Sequence, residues 1–218
     1  LEFRRVLFRS AKIVKYIDPD CEVVVAGTST PNNRTYPRWD LEVLNECYNK
    51  VDYLSLHYYH NAPEGDIGAL LAASTVMDEF IENEIGACDL MKAHLHSDRT
   101  VMIAFDEYGV GFSKEKKKST GRAGVIDDCT YNEFSDQLKR PFRFNDPLNP
   151  ENNHHSNMLE SLALSSVLMS LIRHADRVKV GCYTGGLFTI GHDWDHVWKE
   201  IGYYPYEQRS EERRVGKE

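Results

Sequence analysis

The chain has 218 residues, with 26 Lys plus Arg against 34 Asp plus Glu, a formal charge of −8 and 41% hydrophobic residues. That is the length and balance of one globular domain, and it excludes disorder, a collagen-like repeat and a disulfide scaffold. The uncharged stretches 67–77 and 161–172 reach about half of the roughly 20 residues a bilayer crossing needs, so no membrane span is expected. An acidic balance without a basic patch argues against nucleic acid, since phosphate binding draws on clustered Lys and Arg. The single cationic run, Lys116 to Lys118, reads as a solvated loop. Five widely spaced cysteines with no C-x-x-C pair indicate neither a disulfide framework nor a zinc knuckle, and point to a reducing, cytoplasmic compartment. No signal peptide is visible, and the missing initiator Met is read as a missing segment.

Both ends differ in character from what lies between. Residues 1–10, LEFRRVLFRS, and 209–218, RSEERRVGKE, are strongly charged and lack periodicity. Leu7-Phe8-Arg9-Ser10 can be written CTC TTC CGA TCT, whose reverse complement, AGA TCG GAA GAG, encodes Arg209-Ser210-Glu211-Glu212. This stem resembles a sequencing adapter read on opposite strands, so both ends are expected to be artefacts and are set aside from fold reasoning. They carry +2 and +1, which leaves the body, residues 11–208, at −11.

In chain order, Ala11 to Ile17 reads as the last turns of a helix, closed by Pro19. Glu22 to Ala26 is a short β-branched strand ending at Gly27, and Asp40 to Tyr48 a helix with Leu41, Leu44 and Tyr48 among its apolar residues. Tyr53 to Leu56 is the next strand. From Ser74 to His94 the positions Met77, Ile81, Ile85, Cys88 and Met91 fall on one helical face. Thr100 to Phe105, TVMIAF, is apolar enough for a strand covered on both faces. A long irregular stretch, 109–153, reads as a lid or insertion. Asn157-x-x-Glu160 opens the clearest helix with a capping-box pattern, and Leu164, Val167, Leu168, Leu171, Ile172 and Ala175 form its stripe. His174 suits the negative pole at its end. Arg177 to Tyr183 is the fourth strand. Alternating strands and helices without repeats indicate an α/β fold with a parallel sheet, either a small doubly wound domain or half of an eight-stranded barrel.

Three of the four strands end in polar or aromatic residues: His57-Tyr58-Tyr59, Asp106-Glu107-Tyr108 and Cys182-Tyr183-Thr184. In α/β barrels the site lies at the carboxyl ends of the strands, where loops vary while strands hold geometry. A carboxylate directly after an apolar strand is partly desolvated and can act as nucleophile or base, which singles out Glu107. Position alone nevertheless favours Asp106 and Glu107 as the opening of a turn, His57 as a hydrogen-bonded core histidine, and Tyr58 and Tyr59 as packing residues. Gly109-Val110-Gly111 lacks the third glycine of a dinucleotide loop, and neither a Walker motif nor a G-x-S-x-G elbow is present. His192-Asp193-Trp194-Asp195-His196 has metal-ligand residue types at the wrong spacing, and reads as a polar loop. His154-His155 reads as a helix entry. No metal or cofactor is called for.

The strings VDYLSLHYY, TVMIAFDEYGV, HADRVKVGC and IGYYPY, in that order, resemble the catalytic barrel of glycoside hydrolase family 51, the α-L-arabinofuranosidases, over about residues 11–208. The resemblance implies the C-terminal half of a (β/α)8 barrel, about strands five to eight. By the same resemblance the catalytic nucleophile is Glu107, in the place of the family's F-D-E-W glutamate. The S-L-H-x-Y motif becomes Ser55 to Tyr59, with Tyr59 hydrogen-bonding near the nucleophile and His57 as a supporting substrate-site residue. Two departures stand out: Tyr108 replaces the usual Trp, and Gly185 stands where the family often places Gln.

A retaining glycosidase needs two carboxyl groups about 5 to 5.5 Å apart. The resemblance puts the general acid/base after an Asn at the end of the fourth strand, upstream of this chain. The Asn-Glu pairs present are Asn45-Glu46 and Asn83-Glu84, both within expected helices, and Asn132-Glu133 in the long loop. The implied parent releases terminal arabinofuranosyl groups from arabinose-containing oligosaccharides or polysaccharides with retention. It binds no nucleic acid or membrane, and a homo-oligomeric parent is allowed. The chain alone is expected to be inactive. Two rivals are another retaining barrel glycosidase, acting on β-glucan or xylan, and a non-catalytic α/β binding domain.

Overall fold

The computed structural model describes residues 2–113, 157–184, 189–192 and 196–208. Helix α1 (Glu2–Ile17) is followed by β1 (Val24–Ala26), α2 (Arg38–Cys47) and β2 (Tyr53–Pro63). Then come α3 (Ile67–Leu71), α4 (Ala73–His94), β3 (Met102–Ser113), α5 (Met158–Arg173) and β4 (Val178–Tyr183). A small antiparallel hairpin, β5 (Ile190–His192) with β6 (Val197–Lys199), closes the described chain before a 3-10 turn at Ile201–Tyr203.

The first four strands form one sheet in the order β1-β2-β3-β4, and every pair is parallel. Each strand therefore lies beside its chain neighbour, with helices in the crossovers, as the alternating pattern predicts. The helices pack against one another in chain order, α1 on α2, α2 on α4 and α4 on α5. The strands supply Leu54, Leu56, Ile103 and Phe105 to the core with no exposure, each of which stabilises the fold by about 1.5–3 kcal/mol relative to an exposed side chain. Phe80 of α4 meets Phe105 edge-on, with ring centroids 5.9 Å apart, the geometry that aromatic quadrupoles favour.

The helical stripe of α4 is buried at Met77, Ile81, Cys88 and Met91, with Ile85 partly buried against the core. In α5 the expected capping box forms: the Asn157 side chain accepts from the Glu160 backbone N–H at 3.0 Å, and the Glu160 carboxylate accepts from the Asn157 N–H at 3.3 Å. Its stripe is only partly as expected, because Leu164, Val167 and Leu171 are buried whereas Ile172 and Ala175 are exposed. The buried face runs instead through Ala163 and Ser170. Small side chains let α5 approach α4 there, and the Ser170 hydroxyl donates to the Ser74 carbonyl at 3.1 Å. His174 caps the helix and lies 3.2 Å from Asp78 on α4.

Strands β2 and β3 are longer than their apolar cores predict. They continue through His57-Tyr58-Tyr59 and Asp106-Glu107-Tyr108, paired as far as Pro63 and Ser113 with Asp106 left unmatched. The turn expected at Asp106 and Glu107 is thus replaced by strand, because pairing with β2 resumes at Glu107 and with β4 at Tyr108. The first five residues of the expected irregular stretch, 109–113, belong to β3. Its remainder, with the Lys116 run, Asn132-Glu133 and His154-His155, lies outside the described residues, as do Gly185 and 209–218. Of the His192 to His196 segment, His192 ends β5 and His196 precedes β6, and residues 193–195 lie outside the described residues. Among the described residues, no helix is long and apolar enough to cross a membrane.

Candidate functional site

The site is built around an irregularity in the β2–β3 ladder. Leu56 pairs with Phe105, but His57 pairs with Glu107, so Asp106 is one residue more than β2 can match. The same surplus appears on the other side, where Phe105 pairs with Gly181 and Tyr108 with Tyr183. In a regular strand successive side chains alternate between faces, and Glu107 would point opposite to Asp106. A β-bulge breaks that alternation and re-aims a side chain. Here both Asp106 and Glu107 reach the face that carries Ser55, His57 and Tyr59, the alternate residues of β2.

On that face polar side chains converge on Glu107. The Tyr59 hydroxyl donates to its Oε1, and Nδ1 of His57 lies 3.2 Å from its Oε2. Nε2 of His57 faces the Asp106 Oδ1 at 3.4 Å, and the buried Ser55 hydroxyl donates to that same oxygen at 2.7 Å. The His57 backbone N–H donates to the Thr28 carbonyl after β1 at 3.2 Å, and the Thr184 N–H after β4 donates to the Tyr108 carbonyl at 3.0 Å. Four consecutive strand segments thus frame one carboxylate.

The Glu107 side chain is 36% exposed, open enough to meet a ligand while each of its oxygens faces a hydrogen-bonding group. The Tyr59 hydroxyl is pushed up to about 12, first by partial burial and then by its hydrogen bond to the Glu107 carboxylate. It stays a donor throughout the physiological range. Such a carboxylate can serve as nucleophile or base, because its orientation is fixed and its charge is accepted by donors already in place.

The neighbouring aromatics support rather than line this centre. Tyr58 is buried and donates to the Ala73 carbonyl at 2.7 Å, so it is a packing residue as position alone suggested. Tyr108 is fully buried; its hydroxyl meets that of Tyr206 at 2.7 Å, and its ring meets Tyr183 edge-on at 5.7 Å. Gly109 leaves room for Tyr59: a Cβ there would lie 3.2 Å from the tyrosine ring.

Sequence reading missed Asp106 and Ser55, since neither spacing nor composition signals a bulge. It also missed a buried acid pair. Asp40 on α2 and Glu84 on α4 have no exposure. The Asp40 Oδ1 accepts from the Thr28 N–H at 2.6 Å, whereas its Oδ2 and both Glu84 oxygens make no hydrogen bond of good geometry among the described residues. Burial pushes Asp40 up to about 6. Burial, and then the Asp40 charge, pushes Glu84 up to about 8. Asn83-Glu84 therefore sits between helices and not at a strand end, and Asn45-Glu46 lies within α2.

Fold and site together define an α/β protein whose parallel sheet carries an acid, a tyrosine and a histidine on one face. No family model matches the chain. It is 31% identical over 209 residues to an intracellular exo-α-(1→5)-L-arabinofuranosidase of Halalkalibacterium halodurans, covering 94% of this chain and 38% of that protein. It is 30% identical over 213 residues to a protein of the same description from Streptomyces lividans, covering 96% and 29%. A solved family 51 α-L-arabinofuranosidase from Bifidobacterium longum superimposes with a TM-score of 0.71 at 20% identity, over 96% of this chain and 40% of that one. The α-L-arabinofuranosidase of Thermotoga maritima, solved with arabinose, gives 0.65 at 18% identity, over 94% and 34%. Over nearly its whole length the chain is similar in sequence to proteins named arabinofuranosidases, and its fold matches that of a solved family 51 enzyme. It spans less than two fifths of the length of these curated relatives.

Proposed function

We propose that residues 11–208 are the C-terminal half of a (β/α)8 barrel, about strands five to eight, and that the parent is a retaining α-L-arabinofuranosidase with Glu107 as its nucleophile. The two terminal decapeptides are foreign to it. The observation that carries the reading is Glu107 itself, aimed by a bulge onto the same face as Tyr59 and His57 and hydrogen-bonded at Oε1 by Tyr59. The strand order supports the barrel: a doubly wound sheet reverses direction at a switch point, whereas β1 to β4 advance by one neighbour at each crossover.

In this reading Glu107 attacks the anomeric carbon and forms an ester, as the glycosidic oxygen leaves with a proton from an upstream acid. Water then hydrolyses the ester, with that same upstream group acting as base. Tyr59 and His57 orient the carboxylate and contact the sugar. The substrate class is arabinose-containing oligosaccharides or polysaccharides, and relatives known as intracellular enzymes support a cytoplasmic setting. In the full-length parent, Glu107→Ala should remove hydrolysis of an aryl α-L-arabinofuranoside and leave the far-UV spectrum and melting temperature nearly unchanged. Turnover at the wild-type rate rejects the assignment. The 218-residue chain alone should not hydrolyse the same substrate.

A further inference from the structure

The segment from Thr184 to Tyr206 leaves and returns at one residue, Tyr108, the neighbour of Glu107. Its first end is tied by the Thr184 N–H, which donates to the Tyr108 carbonyl at 3.0 Å. Its far end is tied by the Tyr206 hydroxyl, 2.7 Å from that of Tyr108, and the Tyr183 ring lies against both rings at 5.7 and 6.0 Å. The Ser161 hydroxyl adds a third tie, donating to the Ile201 carbonyl at 3.2 Å. The β5–β6 hairpin is therefore held at the carboxyl end of β4, the end of the sheet that carries Glu107. On this hairpin Trp198 pairs with Gly191, and its indole covers the glycine. A Cβ at position 191 would stand 2.2 Å from the indole Cε2 and Nε1, so only a glycine leaves the ring this place. The indole N–H donates to the Glu200 Oε1 at 2.6 Å, and Glu200 is only 8% exposed. Trp198 itself stays partly exposed and does not belong to the hydrophobic core. A broad apolar ring is thus backed by main chain, fixed at its polar edge and open to solvent.

We propose that Trp198 is a sugar-binding platform, stacking on the arabinofuranosyl unit next to the terminal one, on the leaving-group side of the bond that Glu107 attacks. This deepens the reading of Glu107 as the nucleophile and rests on it. In that reading the terminal unit lies among Glu107, Tyr59 and His57 on the sheet face. The rest of the saccharide must leave past the strand ends, where the hairpin stands. A sugar ring offers C–H groups of small positive charge, which suit the negative face of the indole. Contact also takes apolar surface of both partners out of water. Because the ring is already fixed by Gly191 and Glu200, little side-chain freedom is lost on binding.

The test uses the full-length parent carrying Glu107→Ala, so that a ligand is bound and not cleaved, titrated calorimetrically with α-(1→5)-linked arabinotriose, the linkage named for the relatives. Adding Trp198→Ala should weaken binding about tenfold, the upper end of what one aromatic contact supplies. Trp198→Phe keeps a ring without the N–H and should stay within about threefold of the unsubstituted protein. Gly191→Ala keeps Trp198 but displaces its ring; it should lose about threefold or more, and it decides the matter if Trp198→Ala does not fold. In the active parent, Trp198→Ala should lower kcat/KM about tenfold for arabinotriose and less than about threefold for methyl α-L-arabinofuranoside, which has no second sugar. Arabinotriose affinity unchanged in both Trp198→Ala and Gly191→Ala overturns the proposal. So does a Trp198→Phe variant as weak as Trp198→Ala, or an equal fall in kcat/KM for the two substrates. Failure of the underlying reading looks different: the parent with Glu107→Ala alone then still hydrolyses arabinotriose.

Discussion

Glu84 offers a prediction that rests first on its burial and then on the nearby Asp40 charge. Its carboxyl is lifted from 4.5 to about 8, so between those pH values the folded chain keeps a proton that the unfolded chain has released. Stability must then fall as pH rises through this window, because the folded state binds more protons. At about 1.36 kcal/mol for each pH unit, a window of about 3.5 units costs at most about 5 kcal/mol by pH 8. Water recruited by the ionised group lowers the expected value to about 2–3 kcal/mol. Glu84→Gln has nearly the same shape and no proton to lose. It should match the wild type within about 1 kcal/mol at pH 5.5 and exceed it by about 2–3 kcal/mol at pH 8.5, a gain of roughly 5–10 °C for a chain of this size. Thermal unfolding followed by circular dichroism at both pH values measures the difference, in which titrating groups not coupled to Glu84 cancel. Equal pH slopes for the two proteins would refute the reasoning, as would a variant less stable than wild type at pH 8.5.

Gly109→Ala introduces a Cβ at 3.2 Å from the Tyr59 ring. That ring is 43% exposed and free to yield, so the expected loss of stability is under about 1 kcal/mol. Turnover of the parent should nevertheless fall by about tenfold as the hydroxyl leaves Glu107; calorimetry and steady-state kinetics together check this. Asn157→Ala removes the α5 cap and half of its reciprocal pair with Glu160, which should cost about 1 kcal/mol of stability in urea denaturation, at unchanged m-value.

The periodic elements were legible because their signals are local. The stripe Met77, Ile81, Cys88, Met91 and the Asn157–Glu160 capping box depend on residues three and four apart, and both appear as read. The strand cores Tyr53 to Leu56 and Thr100 to Phe105 were visible for the same reason, although their ends were not. Whether polar residues continue a strand depends on partners from other strands, and His57 to Pro63 found theirs on β3. The inner edge of α5 was misplaced by about one residue, because Ile172 is apolar enough to be buried, yet α4 approaches over Ser170.

By itself the sequence determined the alternation of strands and helices, the apolar faces, and the presence of an acid directly after a buried strand, all consequences of chemistry within a few residues along the chain. Tertiary structure alone decided which way that acid points, since the surplus residue at Asp106 exists only relative to the register of β2 and β4. It also decided that Asp40 and Glu84, 44 positions apart in sequence, are shut together between two helices. Register and the burial of a charged side chain are relations between segments distant along the chain, and neither leaves a mark on local composition.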